Sequence, residues 1–367
     1  MDWSPAKIGA QVGQPKLLQE YALGVEIVMK QNPQPNLDQL DLMILREMGL
    51  DGRRPISDLA KKLGISRVYA GRRLQRLLDQ QSTRIVAFTN PLVLGYQTVA
   101  IIGIQVLPNE INKAANKLSE LPNINLVITT AGRHDIVIWT MFHSPADLSE
   151  FLGRELGTVS GIISTEAMIV LEMRKLSFSF VTAYDLGDGG NHPQPETAPI
   201  QYFTPALKID VDRIDLMILK EMESNARQSV SDLAKKLRMS RAHASGRLQR
   251  LLDQQLTRIV AFTNPLILGY NFFSLIGIKA LPGEIDAAAD KLSTFANVFM
   301  VAKTAGQHDV IVWAVFKTPL DLSTFIMNEL AGISGITSTE TIIALELRKM
   351  DFTHLASSLS EESTDGH

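Results

Sequence analysis

The sequence predicts an α+β protein in which one mixed unit of helices and strands occurs twice. Residues 37–178 align without a gap with residues 211–352, and 81 of the 142 aligned positions are identical. In each copy, apolar residues recur at helical spacing over the first third, and short β-rich runs alternate with two helical runs over the rest. A repeat of this length is too long for a solenoid and suits a pair of independent domains.

The composition excludes several classes of protein. With 45% apolar and 20% charged residues, the chain of 367 residues is not disordered as a whole. It has no cysteine, which excludes disulfides, thiolate metal sites and a cysteine nucleophile, and fits a reducing compartment. No apolar run approaches the roughly eighteen residues of a membrane helix, and the first residues lack a secretory signal. No histidine–carboxylate spacing or glycine-rich phosphate loop stands out, so we expect no metal and no cofactor.

The repeats divide the chain into seven predicted segments. Each unit has a helical part and a longer part rich in strands, and the sequence outside the units is short. The segments are an N-terminal extension with a possible amphipathic helix (1–36), the first helical domain and its linking strand (37–90), the first strand-rich domain (91–178), a linker rich in Gly and Pro (179–210), the second helical domain (211–264), the second strand-rich domain (265–352) and a disordered tail (353–367).

Three short helices are predicted in the first third of each unit. In the first copy they cover 38–50, with Asp38 as N-cap, then 55–63 and 67–80. The last two are joined by Gly64-Ile65-Ser66, a tight turn in which the glycine can take positive φ. Two short helices joined in this way predict a helix-turn-helix, here winged-helix-like, whose second helix enters the DNA major groove.

The third helix of each unit is rich in arginine, the residue best suited to phosphates and guanine edges. A merely solvated face of a helical scaffold is the alternative. The residues predicted to read bases are Arg67, Tyr69, Arg72, Arg241 and His243. Those predicted to hold phosphate, or to tie the helix to its neighbours, are Arg73, Arg76, Arg247 and Arg250.

The longer part of each unit follows the order β-α-β-β-α-β. The predicted strands of the first copy are 98–107, 125–131, 134–142 and 162–172, and the predicted helices are 111–118 and 145–156. This order predicts a ferredoxin-like, four-stranded antiparallel sheet backed by two helices. Because the strands are apolar on both faces, we expect each sheet to meet a partner sheet or subunit.

The ordered motifs of the unit resemble one family of transcription regulators. Leu37-Asp38, Asp41, Ile44-Leu45, Asp51-Gly52-Arg53, Leu59-Ala60, Gly64-Ile65-Ser66, Arg73-Leu74 and Leu77 together are similar to the helix-turn-helix of the leucine-responsive/asparagine-synthesis (Lrp/AsnC) family. The βαββαβ part, with Gly132-Arg133-His134-Asp135, resembles the effector and oligomerisation domain of that family. The two copies together cover 284 of the 367 residues.

The resemblance implies double-stranded DNA as a partner and a dimer with paired sheets and swapped linking strands, often assembled further. It also implies a small effector, such as an amino acid, bound near the Gly-x-x-Asp turn. On this chain the implied effector residues are Gly132, His134, Asp135, Gly306, His308 and Asp309. An ordinary hairpin turn is the other interpretation of these residues.

We therefore expect a sequence-specific transcriptional regulator in which one chain acts as a pseudo-dimer, in the cytoplasm and associated with the nucleoid. The two recognition helices differ at their leading positions, Arg67-Val68-Tyr69 against Arg241-Ala242-His243, so we expect unlike operator half-sites. We also expect Arg238, which stands where the first copy has Gly64, to bend the turn or strain it.

Two other functions stay open. Siroheme decarboxylases resemble the same architecture, and His134 and His308 occupy equivalent positions, as an enzyme acting on a tetrapyrrole carboxylate would require. A DNA architectural protein without a ligand is the other alternative. We expect no enzyme, because an enzyme has little reason to keep two arginine-rich recognition helices.

The net charge of −3 is an average over parts of opposite sign. Each helical segment, 37–90 and 211–264, has ten basic against six acidic residues, or +4. The strand-rich segments are acidic, −2 over 91–178 and −3 over 265–352. This distribution is expected when only part of a chain meets phosphate.

Overall fold

Two mixed helix and strand units account for the described structure. The computed structural model describes residues 37–177, 180, 181, 185 and 210–351. The predicted amphipathic helix of the N-terminal extension, nearly all of the linker and the tail lie outside the described residues.

The first unit has the predicted order of elements. Its helices are α1 (Gln39–Leu50), α2 (Ile56–Leu63), α3 (Arg67–Asp79), α4 (Ile111–Glu120) and α5 (Pro145–Glu150). Its strands are β1 (Thr83–Thr89), β2 (Thr98–Val106), β3 (Ile124–Ala131), β4 (Ile136–Phe142) and β5 (Ile162–Leu176).

The second unit repeats the same order. Its helices are α6 (Arg213–Ser224), α7 (Val230–Lys236), α8 (Arg241–Asp253), α9 (Ile285–Ser293) and α10 (Pro319–Thr324). Its strands are β6 (Thr257–Thr263), β7 (Phe272–Ala280), β8 (Val298–Ala305), β9 (Val310–Phe316) and β10 (Ile336–Met350).

The helix predicted over 145–156 is shorter than expected. It ends at Glu150, and the chain continues as a π-helical turn, Phe151–Glu155. The second unit widens in the same way at Phe325–Leu330, where the chain has Met327 in place of Gly153. Glycine is therefore not the cause of the widening. The strand predicted from 134 begins at Ile136, because the two preceding residues belong to the turn.

The expected partner sheet is supplied within the chain. The eight strands form a closed barrel in the order β10-β3-β4-β2-β5-β8-β9-β7. The last strand of each unit pairs with a strand of the other unit, β5 with β8 and β10 with β3. Ile169 pairs with Ala305, and the equivalent residues Ile343 and Ala131 pair in the same register. The two sheets thus join edge to edge about a pseudo-twofold axis.

The strands that link the helical and strand-rich parts also pair across the units. β1 and β6 form a two-stranded antiparallel ribbon, centred on the pair Val86↔Val260. These two valines are equivalent positions of the repeat, so the pseudo-twofold axis passes through the ribbon as well. The first helix of each unit packs against the ribbon strand of the other, α1 on β6 and α6 on β1.

The apolar core has an inner and an outer part. The barrel interior holds a core shared by both units, including Ile101, Met141, Leu275 and Trp313. The helices outside the barrel cover two separate cores, one for each unit. Burying the apolar faces of both sheets inside one chain gives the main stabilisation of the pairing.

A lysine on the last strand of each unit, β5 or β10, forms a hydrogen bond with the other unit, next to the end of a helix. Lys175 Nζ donates a hydrogen bond of 2.8 Å to the Phe295 carbonyl, and Lys349 Nζ donates one of 2.7 Å to the Leu121 carbonyl. Both acceptors lie just beyond a helix C-terminus, where a cation is favoured. Burial nevertheless lowers the pKa of Lys175 to about 8.

No helix among the described residues is long and apolar enough to cross a membrane.

Candidate nucleic-acid interface and ligand site

The third helix of each unit presents one buried and one exposed face. α3 begins after Ser66, whose hydroxyl accepts the Tyr69 backbone N–H at 3.2 Å, and Ser240 caps α8 in the same way. Ala70, Leu74 and Leu77 are buried against the neighbouring helices. The opposite face is exposed and carries the predicted base-reading residues Arg67, Tyr69, Arg72, Arg241 and His243.

Four of the predicted arginines are tied to the start of the first helix of their unit. Arg73 Nη1 donates to Asp41 Oδ1 at 3.0 Å and also to Asp38, and Arg76 pairs with Asp41. Asp41 is fully buried. Both arginines of the first unit thus contact α1, the helix that precedes the helix-turn-helix pair, and a phosphate contact by either one stays a prediction.

The second unit has the same arrangement. Arg247 Nη1 lies 2.7 Å from Asp212 Oδ2 and 3.0 Å from Asp215 Oδ1, and Arg250 pairs with the buried Asp215. The hydrogen bond from Arg247 lowers the pKa of Asp212 to about 2. Sequence reasoning identified Asp38 only as a cap and missed the second aspartate of each pair as an anchor. The capping-box spacing Asp-x-x-Asp was the available signal.

The exposed predicted residues fall into two groups. Tyr69 Oη accepts a hydrogen bond from Arg73 Nε at 3.1 Å, and His243 Nε2 accepts one from Arg247 Nε at 2.8 Å. These two side chains therefore have fixed orientations at the surface. Arg67, Arg72 and Arg241 make no ion pair with any residue that the structure describes. Their guanidinium groups are available to a phosphate or a base.

The turns before the two recognition helices use different residues in the same conformation. Gly64 has φ +66°, and Arg238 has φ +53°. The expected strain at Arg238 is therefore present, because this left-handed conformation disfavours residues with a side chain. In exchange, the exposed Arg238 adds a cation just before the second recognition helix, which sequence reasoning did not assign to the DNA surface.

The predicted effector turns lie where the units meet. Gly132 has φ +150°, and a Cβ atom there would lie 3.4 Å from the Cα of Ile342 in the second unit. Gly306 has φ +144°, and a Cβ atom there would lie 3.1 Å from the Ala167 carbonyl oxygen. Positive φ thus favours glycine at both positions, and at Gly306 the close approach of the other unit adds to this requirement.

The two turn aspartates have structural partners. Asp135 Oδ2 accepts the Val106 backbone N–H at 2.8 Å, and Asp309 Oδ2 accepts that of Ala280 at 3.0 Å. Lys279 Nζ also lies 3.0 Å from Asp309 Oδ1. These contacts agree with the hairpin-turn interpretation for both carboxylates, although Asp309 keeps a cation beside it.

The two turn histidines are buried behind glycines. A Cβ atom on Gly103 or Gly277 would lie 2.5 Å from the ring of His134 or His308, so each strand glycine makes room for one imidazole. His134 Nε2 lies 3.2 Å from Glu166 Oε2. Burial lowers the pKa of His308, and the nearby carboxylates of Glu340 and Glu166 offset part of this decrease.

The turns of the two units share one polar cluster, because the side-chain amide of Gln307 in the second unit donates a hydrogen bond of 2.7 Å to Glu166 Oε2 in the first. His308 Nε2 lies 3.1 Å from Glu340, the equivalent of Glu166. Arg133 Nε lies 3.4 Å from Glu166 and remains half exposed. Sequence reasoning missed the two glutamates, whose equivalent positions in the repeat were the available signal. No group of three potential metal ligands occurs in the described part of the chain.

Two family models match the chain, and each matches it twice. The AsnC-type helix-turn-helix domain matches residues 37–78 and 211–252. The Lrp/AsnC ligand binding domain matches residues 99–180 and 274–353. The four matches cover about two thirds of the chain in the predicted order. The chain therefore belongs to the Lrp/AsnC family, with two complete units in tandem.

Two archaeal relatives illustrate the similarity. An uncharacterised HTH-type transcriptional regulator of Pyrococcus furiosus is 36% identical over 146 residues, which is 40% of this chain and 99% of the relative. The HTH-type transcriptional regulator LrpA of Pyrococcus horikoshii is 31% identical over 144 residues, covering 38% of this chain and 99% of LrpA. Each relative thus corresponds to about one unit of this chain.

A solved structure shares the two-unit architecture. The siroheme decarboxylase NirDL superimposes with a TM-score of 0.58, covering 88% of this chain and 100% of NirDL. The sequences are 15% identical, so the similarity concerns the fold.

Proposed function

We propose that this chain is a sequence-specific transcriptional regulator that binds double-stranded DNA as a single-chain pseudo-dimer. The observation that carries the proposal is the β1–β6 ribbon, in which equivalent valines, Val86 and Val260, face each other. A ribbon with this symmetry relates the two helix-turn-helix domains by a pseudo-twofold axis. The same relation in the family comes from two separate subunits.

The DNA surface consists of the exposed side of the two recognition helices. Arg67, Tyr69 and Arg72 on α3, with Arg241 and His243 on α8, are exposed and are the base-reading residues of the proposal. Arginine recognises guanine with two hydrogen bonds, and one such pair discriminates by about 1–3 kcal/mol. Gly246 stands where the first unit has Arg72, so the half-site bound by α8 lacks this contact.

Selection of binding sites from random DNA tests this function, starting with mobility shifts on the DNA upstream of the gene. Arg72→Ala is expected to relax sequence preference in one half-site only. Gly246→Ala is the matched control, because a Cβ atom at Gly246 meets no heavy atom within 4 Å, and its preference should stay unchanged. Failure of the wild-type chain to select any sequence above background would refute sequence-specific binding.

The turns between the units support a second element of the proposal, a small-molecule effector such as an amino acid or small organic acid. The residues proposed to contact the effector are Gly132, His134 and Asp135 with the corresponding Gly306, His308 and Asp309, and the two carboxylates also accept backbone N–H groups. Arg133 and Lys279 are the nearby cations that suit a carboxylate ligand. A thermal-shift screen against amino acids and aromatic acids tests this element, because a ligand of the folded state raises Tm. A screen without any shift would favour a ligand-independent architectural protein.

The structural similarity to a siroheme decarboxylase keeps an enzyme as the second candidate function. A tetrapyrrole is large and carries several carboxylates, whereas the cavity in the barrel interior measures about 120 Å³ and has no Lys, Arg or His among its lining residues. We therefore infer that the chain is not such an enzyme. Spectral titration with siroheme or an iron porphyrin should give no saturable change; a stoichiometric Soret shift would favour the enzyme.

We also propose that the chain works in the cytoplasm on nucleoid DNA and assembles further through its βαββαβ domains. Exposed apolar side chains on the last strands, Ile163, Leu171 and Leu345, provide a surface for such contacts. Light scattering after size-exclusion chromatography tests the assembly. A mass of 40.5 kDa at all concentrations would contradict it.

A further inference from the structure

Two equivalent arginines of the repeat approach each other between the helix-turn-helix domains. Arg53 and Arg227 each lie in the loop between the first two helices of their unit. Arg53 Nη1 reaches the other unit, where it lies 3.7 Å from Met222 Sδ on α6. Burial lowers the pKa of Arg53, and the like charge of Arg227 lowers it further, while the nearby carboxylate of Asp51 acts in the opposite direction. The two guanidinium groups are therefore close enough for their charges to interact.

The ribbon has the barrel on one face and the helix-turn-helix domains on the other. Successive side chains of a strand point to opposite faces of a sheet. Phe262 is on one face of the ribbon and lines the barrel cavity, whereas Ala87 and Ile259 are on the other face and belong to the core of the second helix-turn-helix domain. A Cβ atom on Gly52 would lie 2.9 Å from Ile85 Cγ2, which is on the same face as Ala87. The loop that continues into the arginine thus lies on the side of the ribbon that is opposite the barrel.

The pseudo-twofold axis of the ribbon determines where bound DNA lies. The barrel occupies this axis on one side, so a duplex bound by both recognition helices crosses the axis on the other side. When half-sites are one helical turn apart, the two recognition helices enter successive major grooves on one face of the duplex. The minor groove at the centre of the operator then faces the gap between the helix-turn-helix domains. This is the gap into which Arg53 extends.

Both arginines keep their charge available to a partner. Arg227 is exposed and Arg53 is half-buried, and neither forms an ion pair with an acidic side chain in the described part of the chain. Asn225 stands where the first unit has Asp51, so the second loop lacks the acid that lies near Arg53. Two like charges held close together repel each other, and an anionic partner offsets this repulsion. The minor groove is such a partner, because its negative potential is enhanced where an A·T-rich sequence makes it narrow.

We propose that Arg53 and Arg227 together bind the minor groove at the centre of the operator and select a narrow, A·T-rich centre. The two guanidinium groups recognise the width and the potential of the groove, whereas the recognition helices read base edges in the major groove. This inference rests on the proposed DNA binding, and its test separates the two.

The test measures the affinity of the full chain for operators that share the selected half-sites and differ only at the central base pairs, which are A·T, G·C or inosine·C. Inosine lacks the minor-groove amino group of guanine but presents the same major-groove edge. We expect the A·T and inosine·C centres to bind about five- to tenfold more tightly than the G·C centre. The double variant Arg53→Gln with Arg227→Gln should reduce this preference to less than about twofold. Lys220→Gln is the control, because it removes an exposed cation of α6 outside the loop and should keep the full preference.

A single variant decides the question even if the double variant does not fold. Arg227 is exposed, so Arg227→Gln should leave Tm unchanged and reduce the preference for the A·T centre about two- to threefold. The proposal is overturned if the wild-type chain selects its half-sites but binds the three centres alike, or if the inosine·C centre behaves like G·C. It is also overturned if Arg227→Gln keeps the full preference. A wild-type chain that selects no half-site would instead refute the proposed function, and this inference with it.

Discussion

Two arginines one helical turn apart are expected to respond in opposite ways to truncation. Arg76 pairs with Asp41, which is fully buried, whereas Arg72 is exposed and pairs with no described residue. Removing one partner of a fully buried ion pair costs about 3–5 kcal/mol. Arg76 is 42% exposed and Asp41 keeps Arg73, so we expect Arg76→Ala to cost about 1–2 kcal/mol. Arg72→Ala should stay within about 0.5 kcal/mol of the wild type.

Thermal and urea denaturation without DNA measure this difference in stability. Titration with DNA at several salt concentrations then measures whether either arginine contacts phosphate. Because the two units share one core and should unfold together, the loss predicted for Arg76→Ala lowers Tm by roughly 2–3 °C. Arg72→Ala should keep the wild-type Tm and lose preference in one half-site. An unchanged Tm for Arg76→Ala, together with a salt slope reduced by about one, would show that Arg76 is a phosphate contact and would refute the anchoring role.

Three further predictions concern the turns and the barrel. Gly103→Ala should destabilise the fold by about 1–3 kcal/mol, because its Cβ atom would lie 2.5 Å from the His134 ring, and adding His134→Ala should recover part of this loss in a double-mutant cycle. Arg238→Gly should stabilise the chain by about 0.5 kcal/mol in urea denaturation, since it relieves positive φ but adds freedom to the unfolded chain; a loss of stability would argue against strain there. Burial lowers the pKa of His308 below its usual 6.5, so the unfolded state takes up a proton first and the stability of the fold decreases as the pH drops below 6.5. His308→Gln should therefore reduce the dependence of Tm on pH between about 7 and 5.5. An unaltered slope would contradict this prediction.

Much of the fold follows from local sequence signals. The helices of the first third were predictable from apolar spacing and from caps such as Asp38 and Ser66, because both depend on residues close in the chain. The need for a partner sheet followed from strands that are apolar on both faces. The repeat indicated that the second half of the same chain can supply this partner sheet. The resemblance to a dimeric family suggested that the linking strands are swapped.

The details that sequence reasoning missed depend on residues far apart in the chain. Arg73 reaches Asp41 across 32 positions, and His134 reaches Glu166 across the same interval, so periodicity does not predict either pair. The closing of the sheets into a barrel depends on the register between β5 and β8, which local pattern does not determine. The cavity arises from the packing of both units together and has no signature in either one.

The pseudo-dimer account is tested most directly by making the two recognition helices alike. Ala242→Val, His243→Tyr, Ser245→Gly and Gly246→Arg give α8 the leading residues of α3 while leaving its buried positions unchanged. Binding-site selection and footprinting should give unlike half-sites for the wild-type chain and an inverted repeat for the converted chain. A clean inverted repeat with equal half-site affinity for the wild type, or an operator unaltered by the conversion, would contradict the account.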